Sequence, residues 1–268
     1  MTKQALIQKT VDSIYASKQI VAFSGAGISK ESGISTYREP GGLWDRFPEG
    51  GSGGMMAVMR NHPEQAPQIL LEFLETLQKA TPNSGHKALV DLEQMGYLQT
   101  IITQNVDNLH ISAGSSTVYE LHGNFLRLKC LQCKRQQKNN PKEYFSMLTQ
   151  IIQSTSSLTM DSLFEHLPRC DCGGKQRIDF VGFGESVQQL NQAISASENC
   201  DLMLILGTSG VVHPAAMLPV MAKNNGAVLI EINPEKSSLS GYADLFIKGQ
   251  SGKILPLVVD ALKKNEAL

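Results

Sequence analysis

The chain has 268 residues, with 24 lysines and arginines against 25 aspartates and glutamates and a hydrophobic share of 41%. That near-neutral balance sets up no field to attract polyanions, so nucleic acid is not expected as a ligand. No apolar run is long enough for a bilayer-spanning helix, and no membrane partner is expected.

Residues 1–18 place Leu6, Ile7, Val11, Ile14 and Tyr15 at helical intervals, unlike the unbroken apolar centre of a signal peptide. Without export, the expected location is cytoplasmic. In that reducing setting the five cysteines are better suited to metal than to disulfides. A first strand is predicted over 20–23, running into Ser24-Gly25-Ala26-Gly27-Ile28-Ser29, whose small residues allow backbone amides to approach a phosphate. Lys30 stands where G-x-G-x-x-G would need its third glycine, so this loop alone is a weak dinucleotide signal.

The stretch 40–54 carries Gly41, Gly42, Gly50, Gly51, Gly53 and Gly54 and reads as a mobile loop over a site, with Leu43, Trp44 and Phe47 able to close on a ligand. A helix over 67–79 sets Ile69, Phe73 and Leu77 on one face with Leu70 and Leu74 beside them, an ordinary core stripe. Asn83 or Ser84 caps the next helix, which carries Leu89, Leu92 and Met95 and is stopped by Gly96. A strand over 98–102 then delivers Thr103-Gln104-Asn105-Val106-Asp107-Asn108-Leu109-His110 to a sheet end, where ligands of open α/β sheets gather.

Further strands are predicted over 117–121, 202–206, 227–232 and 244–247, with helical patterns between several of them. The alternation predicts an α/β fold with a doubly wound parallel sheet. Two more strand ends are polar: Gly207-Thr208-Ser209, and Asn233-Pro234-Glu235, suited to phosphate and ribose hydroxyls. The segment 127–177 interrupts the alternation and holds Cys130, Cys133, Cys170 and Cys172. Two close thiol pairs suit one tetrahedral zinc ion, and with every position filled by sulfur the ion is structural. Cys200 reads as a small buried hydrophobe. His122 follows a predicted strand and stands beside the amide and carboxylate loop, which gives a general base something to act on. His62, His86, His110, His166 and His213 have no comparable setting and read as structural.

In order along the chain, Gly25-Ala-Gly-Ile-Ser29, Glu31-Ser-Gly33, Tyr37-Arg38, Gln104-Asn-Val-Asp107, Leu121-His-Gly123, the cysteine pairs, Phe183-Gly-Glu185, Gly207-Thr-Ser209 and Pro214-Ala-Ala216 resemble the motifs of the sirtuin family over nearly the whole length. The resemblance implies a Rossmann-like NAD-binding large domain (1–126 and 178–268, with a flexible loop and helical segment at about 38–80) and a small inserted zinc-binding module (127–177). It implies an NAD-dependent protein-lysine deacylase that transfers the acyl group to ADP-ribose, releasing nicotinamide and O-acyl-ADP-ribose.

By the same resemblance, His122 is the general base, and Asn105 and Asp107 position the ribose and the nicotinamide amide. Gln104 lies along the ribose, and Ala26, Tyr37 and Arg38 belong to the cofactor loop. Gly25, Gly27, Ser29, Trp44, Gly207, Thr208, Ser209, Asn233 and Glu235 complete the expected cofactor contacts. Val181, Gly182, Phe183, Gly184 and Glu185 form the segment that pairs by backbone with an acyl-lysine peptide. Between Gln65 and Lys79 there is neither Tyr nor Arg, so no cation offsets an acidic acyl group, and neutral acyls are expected. Mono-ADP-ribosyl transfer or plain NAD hydrolysis on the same fold is the alternative activity.

Overall fold

Nine strands are described in the computed structural model, which covers residues 1–34, 54–182 and 184–266, with backbone alone at 54–56 and 266. They are β1 (Ile20–Ser24), β2 (Leu98–Thr103), β3 (Val118–Glu120), β4 (Gly123–Cys130), β5 (Gln136–Lys138), β6 (Gln176–Phe180), β7 (Leu202–Leu206), β8 (Val228–Asn233) and β9 (Leu245–Lys248). Six of them form one parallel sheet in the order β3-β2-β1-β7-β8-β9. All six fall on the apolar runs picked out by sequence, with ends displaced by a residue or so.

Between the strands lie α1 (Lys3–Ala16), a 3-10 turn over Ala26–Ser32, α2 (Gly54–Asn61), α3 (Ala66–Lys79), α4 (Ser84–Gln94) and α5 (Leu109–Ala113). After them come α6 (Pro141–Gln153), α7 (Met160–His166), α8 (Leu190–Asn199), α9 (Met217–Asn224) and α10 (Ser251–Glu266). β1 and β7 are buried at every position, as parallel strands covered on both faces must be. On one face Val11 and Ile14 of α1, Leu89 and Leu92 of α4, and Ile254, Val258 and Leu262 of α10 pack on Ala22, Leu204 and Ile230. On the other, Ala193 of α8 and Leu218 and Ala222 of α9 cover Phe23, Met203 and Ile205. Truncating one central side chain, as in Leu204→Ala, costs about 2–5 kcal/mol through lost burial and the cavity left behind.

The predicted cap of α4 is Asn83, whose Oδ1 accepts from the amides of Gly85 and His86. Its Nδ2 donates to Ile28 O at 2.7 Å and to Ser32 Oγ at 2.9 Å, fastening the helix to the turn after β1. Gly96, with φ +83, follows the helix end as its stop signal requires.

A second sheet, antiparallel in the order β5-β4-β6, was not read from the sequence. The three-residue β5 is polar and exposed throughout, and the eight-residue β4 is broken by a register shift after Asn124, so no continuous alternating pattern runs through the sheet. With α3, α6 and α7 it encloses a separate core that includes Leu70, Leu74, Phe125, Leu128, Tyr144 and Leu148. The apolar stripe of α3 lies there as expected: Ile69, Leu70, Leu74 and Leu77 are buried, and Phe73 meets Phe125 edge-on at 5.1 Å. No helix among the described residues is long and apolar enough to cross a membrane.

Candidate functional site

The chain builds β1, β2 and β3 towards one edge of the large sheet, then β7, β8 and β9 towards the other, so the strand order reverses between β1 and β7. Loops leaving neighbouring strands at such a reversal separate and open a crevice. Here the loops after β1 and β7 touch at their base: Gly27 N donates to Gly207 O at 2.7 Å, and Gly25 N donates to Leu206 O at 3.0 Å. A Cβ on Gly27 would lie 2.6 Å from Gly207 O, and one on Gly25 would lie 2.8 Å from the Thr208 Cβ. These two glycines therefore serve close packing of one loop on the other, and their own amides are already engaged.

The polar ends of β2, β7 and β8 are strung together across that reversal. Gln104 Nε2 donates to Thr208 Oγ1 at 2.9 Å, and Asn233 Nδ2 donates to Thr208 O at 2.7 Å and to the buried Glu231 carboxylate at 3.0 Å. Ser29 joins the loop after β1 to the loop after β2. Its Oγ donates to Asp107 Oδ2 at 2.6 Å and accepts from Asn105 Nδ2 at 3.1 Å. Asp107 also accepts from the Leu109 amide at 2.9 Å. Burial raises the Asp107 carboxyl above its ordinary value, and the Ser29 hydroxyl and Leu109 amide act in the opposite direction.

His122 sits in the turn between β3 and β4, with Nδ1 2.9 Å from Gln104 O. Its own carbonyl accepts from Val181 N at 2.8 Å, so one residue links the loop after β2 to the expected substrate segment. Burial lowers the imidazole below its usual value, and the Gln104 carbonyl partly offsets this.

Within that segment, Gly182 N donates to Glu185 Oε2 at 2.9 Å and Glu185 N donates to Gly182 O at 3.0 Å. Arg177 grips the same carboxylate with both terminal nitrogens, each at 2.6 Å, and this pairing, opposed in part by burial, holds Glu185 below the ordinary carboxylate range. Gly182 thus has both backbone groups engaged locally, and Glu185 shapes the turn. Gly184 adopts φ +85.

Among the expected contacts, Gly25, Ala26, Gly27, Ser29, Gln104, Asn105, Asp107, His122, Gly207, Thr208 and Asn233 are brought together. Ser209 is exposed, its carbonyl accepting from Ser238 N at 3.1 Å. Glu235 is exposed and pairs with Lys248 at 3.0 Å. Tyr37, Arg38, Trp44 and Phe183, and the glycine-rich loop up to residue 53, lie outside the described residues.

Cys130, Cys133, Cys170 and Cys172 form one cluster whose sulfur atoms all lie within 4.8 Å of one another. Cys130 and Cys172 are 3.5 Å apart, and Cys133 and Cys170 are 3.7 Å apart. Four sulfurs about 2.3 Å from a tetrahedral zinc stand about 3.8 Å from each other, so the set fits one ion. The surrounding backbone is made for it. Cys133 N donates to Cys130 Sγ at 3.4 Å, and a Cβ on Gly174 would come within 2.8 Å of that sulfur.

Sequence reading missed two groups. Ser24 Oγ contacts His110 Nε2 at 2.8 Å and donates to Thr103 Oγ1 at 2.9 Å, which in turn accepts from Asn105 N at 3.1 Å. His86 meets His110 edge-on at 4.9 Å, next to the loop after β2. The second group is a set of buried charges around Arg127. No motif marks it, because a strand bulge assembles it.

The Sir2 family model matches residues 25–214. A protein of Desulfosudis oleivorans named NAD-dependent protein deacylase is 40% identical over 262 residues, covering 96% of each chain. One of Pyrococcus abyssi with the same name is 40% identical, covering 93% of this chain and 95% of its own. Among solved structures, a Sir2 homologue in complex with NAD is 35% identical with a TM-score of 0.76, covering 96% of this chain and 94% of its own. A Sir2 bound to a deacetylated p53 peptide and 3′-O-acetyl ADP-ribose is 29% identical with a TM-score of 0.78, covering 95% of this chain and 98% of its own. Built on this sheet, with these loops and this thiol cluster, the chain belongs to the Sir2 family.

Proposed function

We propose that this chain is an NAD-dependent protein-lysine deacylase. The observation that carries the reading is the convergence of His122, Gln104, Asn105, Asp107 and Ser29 on one strand-end crevice. The large domain of this reading comprises 1–126 and 178–268, and the zinc module comprises 127–177. NAD brings a ribose whose bond to nicotinamide breaks, so that the acyl group of a modified lysine passes to ADP-ribose.

The residues divide the work. The carbonyl of Gln104 can only accept, so Nδ1 of His122 keeps its proton and Nε2 is left with the lone pair of a base. Burial favours that neutral form at physiological pH. Ser29 orients the Asp107 carboxylate and the Asn105 amide towards ribose and nicotinamide. The glycine loop, Thr208 and Asn233 receive the remainder of the dinucleotide, with Tyr37, Arg38 and Trp44 as further contacts. Val181 to Glu185 form the edge along which an acyl-lysine peptide lies.

Neutral acyl groups are the preferred class, because α3 carries neither Tyr nor Arg and its apolar stripe of Ile69, Leu70, Phe73 and Leu74 offers no cation to an acidic acyl. The setting is cytoplasmic, and neither nucleic acid nor membrane is a partner.

Incubation with NAD and an acetyl-lysine peptide, followed by mass spectrometry, tests the reading. O-acetyl-ADP-ribose and free lysine are expected only when peptide and NAD are both present. Equal NAD consumption without peptide would assign NAD hydrolysis instead, and a peptide gaining ADP-ribose would assign mono-ADP-ribosyl transfer. Faster turnover of a succinylated than of an acetylated peptide would overturn the acyl preference.

A further inference from the structure

In β4 the pairing with β6 jumps: Asn124 faces Asp179 and Leu128 faces Ile178, leaving residues 125–127 bulged out of the ladder. Bulges re-aim side chains and often flank functional sites. This one turns Phe125 N towards the catalytic loop, where it donates to Val106 O at 2.8 Å. It also aims Arg127 between two carboxylates, with Nε 3.0 Å from Asp179 Oδ2 on β6 and a terminal nitrogen 2.6 Å from Glu120 Oε2 on β3.

Both carboxylates are withdrawn from solvent, Asp179 completely and Glu120 to 5% side-chain exposure. Each reaches further. Asp179 accepts from Gln188 and Gln136. Glu120 accepts from Asn124 Nδ2 at 2.6 Å, and the same amide donates to Asn108 Oδ1 at 2.7 Å. Asn108 follows Asp107 directly, in the left-handed conformation with φ 66. Asn124 Oδ1 accepts from Leu126 N at 2.9 Å, so the amide is fully used and its orientation fixed.

His122 lies between Glu120 and Asn124 in the chain, and Val181, which binds its carbonyl, lies two residues beyond Asp179. Arg127 is therefore the cation at the centre of a polar chain whose ends are the ribose loop, the histidine and the substrate segment.

We propose that Arg127 is a positioning residue for catalysis: by bridging Glu120 and Asp179 it fixes the loop 104–108 and His122 against the small sheet. The proposal rests on the deacylase reading for what is being positioned, while the bridge itself is independent of it. A bridging guanidinium suits the task because it is planar and can serve two carboxylates at once, whereas an ammonium is a single point. The glycine loop, Thr208 and Asn233 meet this chain of contacts at its far end, through Gln104, Asn105 and Asp107, and are also held by their own bonds to one another, so cofactor affinity depends less on Arg127 than turnover does.

Three variants test it: Arg127→Met, Arg127→Lys and the double variant Glu120→Gln with Arg127→Met. Arg127→Met strands two buried carboxylates, whereas the double variant strands Asp179 alone, which keeps its bonds from Gln188 and Gln136. The melting temperature should therefore fall in Arg127→Met and recover in part in the double variant. Turnover should not recover with it: kcat in the double variant is expected about tenfold to a hundredfold below the parent, the scale of a small misplacement of reacting groups, with KM for NAD little changed. Arg127→Lys should fold and lie between. Amide hydrogen exchange over 104–110 in the double variant should accelerate, and this readout needs no activity.

Recovery of kcat together with the melting temperature would mean that Arg127 merely neutralises charge, and would overturn the proposal, as would unchanged exchange over 104–110. If Arg127→Met fails to fold, the double variant and Arg127→Lys decide. A parent protein that makes no acyl-ADP-ribose would count against the deacylase reading alone, and the exchange experiment would still judge Arg127.

Discussion

The imidazole of His122 meets the carbonyl oxygen of Gln104 through Nδ1, at 2.9 Å. Because that contact assigns the tautomer, Nε2 is the basic atom, and burial lowers its affinity for a proton below the ordinary value of roughly 6.5. A base works only when unprotonated, so activity is lost as pH falls through its pKa. The acid limb of kcat/KM is expected below pH 6.5 or so, since that profile reports the free enzyme. His122→Ala should abolish the limb, cut turnover by about a hundredfold to ten-thousandfold, and leave NAD affinity nearly intact. Full turnover in that variant would remove the assigned role.

The four thiols predict a metal dependence that is structural in kind. One zinc per chain is expected by elemental analysis. Replacing Cys130, the buried thiol at the end of β4, by Ser should reduce bound metal sharply and loosen the small sheet. A strong chelator should do the same to the parent, read by loss of amide protection in β4 and β6 before that in β1 and β7. If chelation left the small sheet as protected as before, the thiols would not be holding it.

The contact of the two loops at the sheet reversal predicts that Gly27→Ala is costly although it adds a single methyl. The new Cβ would lie 2.6 Å from Gly207 O, closer than carbon and oxygen tolerate, and the obstacle is backbone that cannot rotate away. A stability loss of about 1–3 kcal/mol is expected, with weaker NAD binding by titration calorimetry. Parent-like values in both would show that the loops can part freely.

Much of this was legible in the sequence, because buried parallel strands write their position as unbroken apolar runs and their ends as sudden polarity. Leu202 to Leu206 followed by Gly207 and Thr208 is such a signal, as is Ile101-Ile102 followed by Gln104 and Asn105. The thiol pairs were legible for a different reason, since metal geometry constrains residue type and spacing together. What stayed hidden depends on contacts between distant segments. Arg127 reads as an ordinary polar residue until the bulge in β4 sets it between Glu120 and Asp179. Gly182 reads as free backbone until Glu185 turns out to occupy its amide. His110 reads as a structural histidine until its ring nitrogen is seen to meet Ser24, a contact between α5 and the end of β1, which are far apart in sequence.

His86 and His110 give the last prediction. Their rings lie 4.9 Å apart, and among the described residues both nitrogens of His86 and Nδ1 of His110 have no hydrogen-bond partner. Burial lowers His86 to about 4, and burial together with the charge of its neighbour lowers His110 to about 3. In the unfolded chain each would titrate near 6.5 or so. Both are therefore neutral in the fold at pH 5, while the unfolded chain binds protons there. Their contribution to stability is fully present above about pH 6.5 and is lost as pH falls towards the folded values, at up to about 1.4 kcal/mol per pH unit for each ring. Urea unfolding should accordingly show a stability drop on the order of 3 kcal/mol between pH 6.5 and 5 from the two rings. His86→Gln, which has no charge to gain, should remove roughly half of that slope even if it lowers stability at neutral pH. An identical pH slope in parent and variant would mean that the buried ring is not what acid attacks.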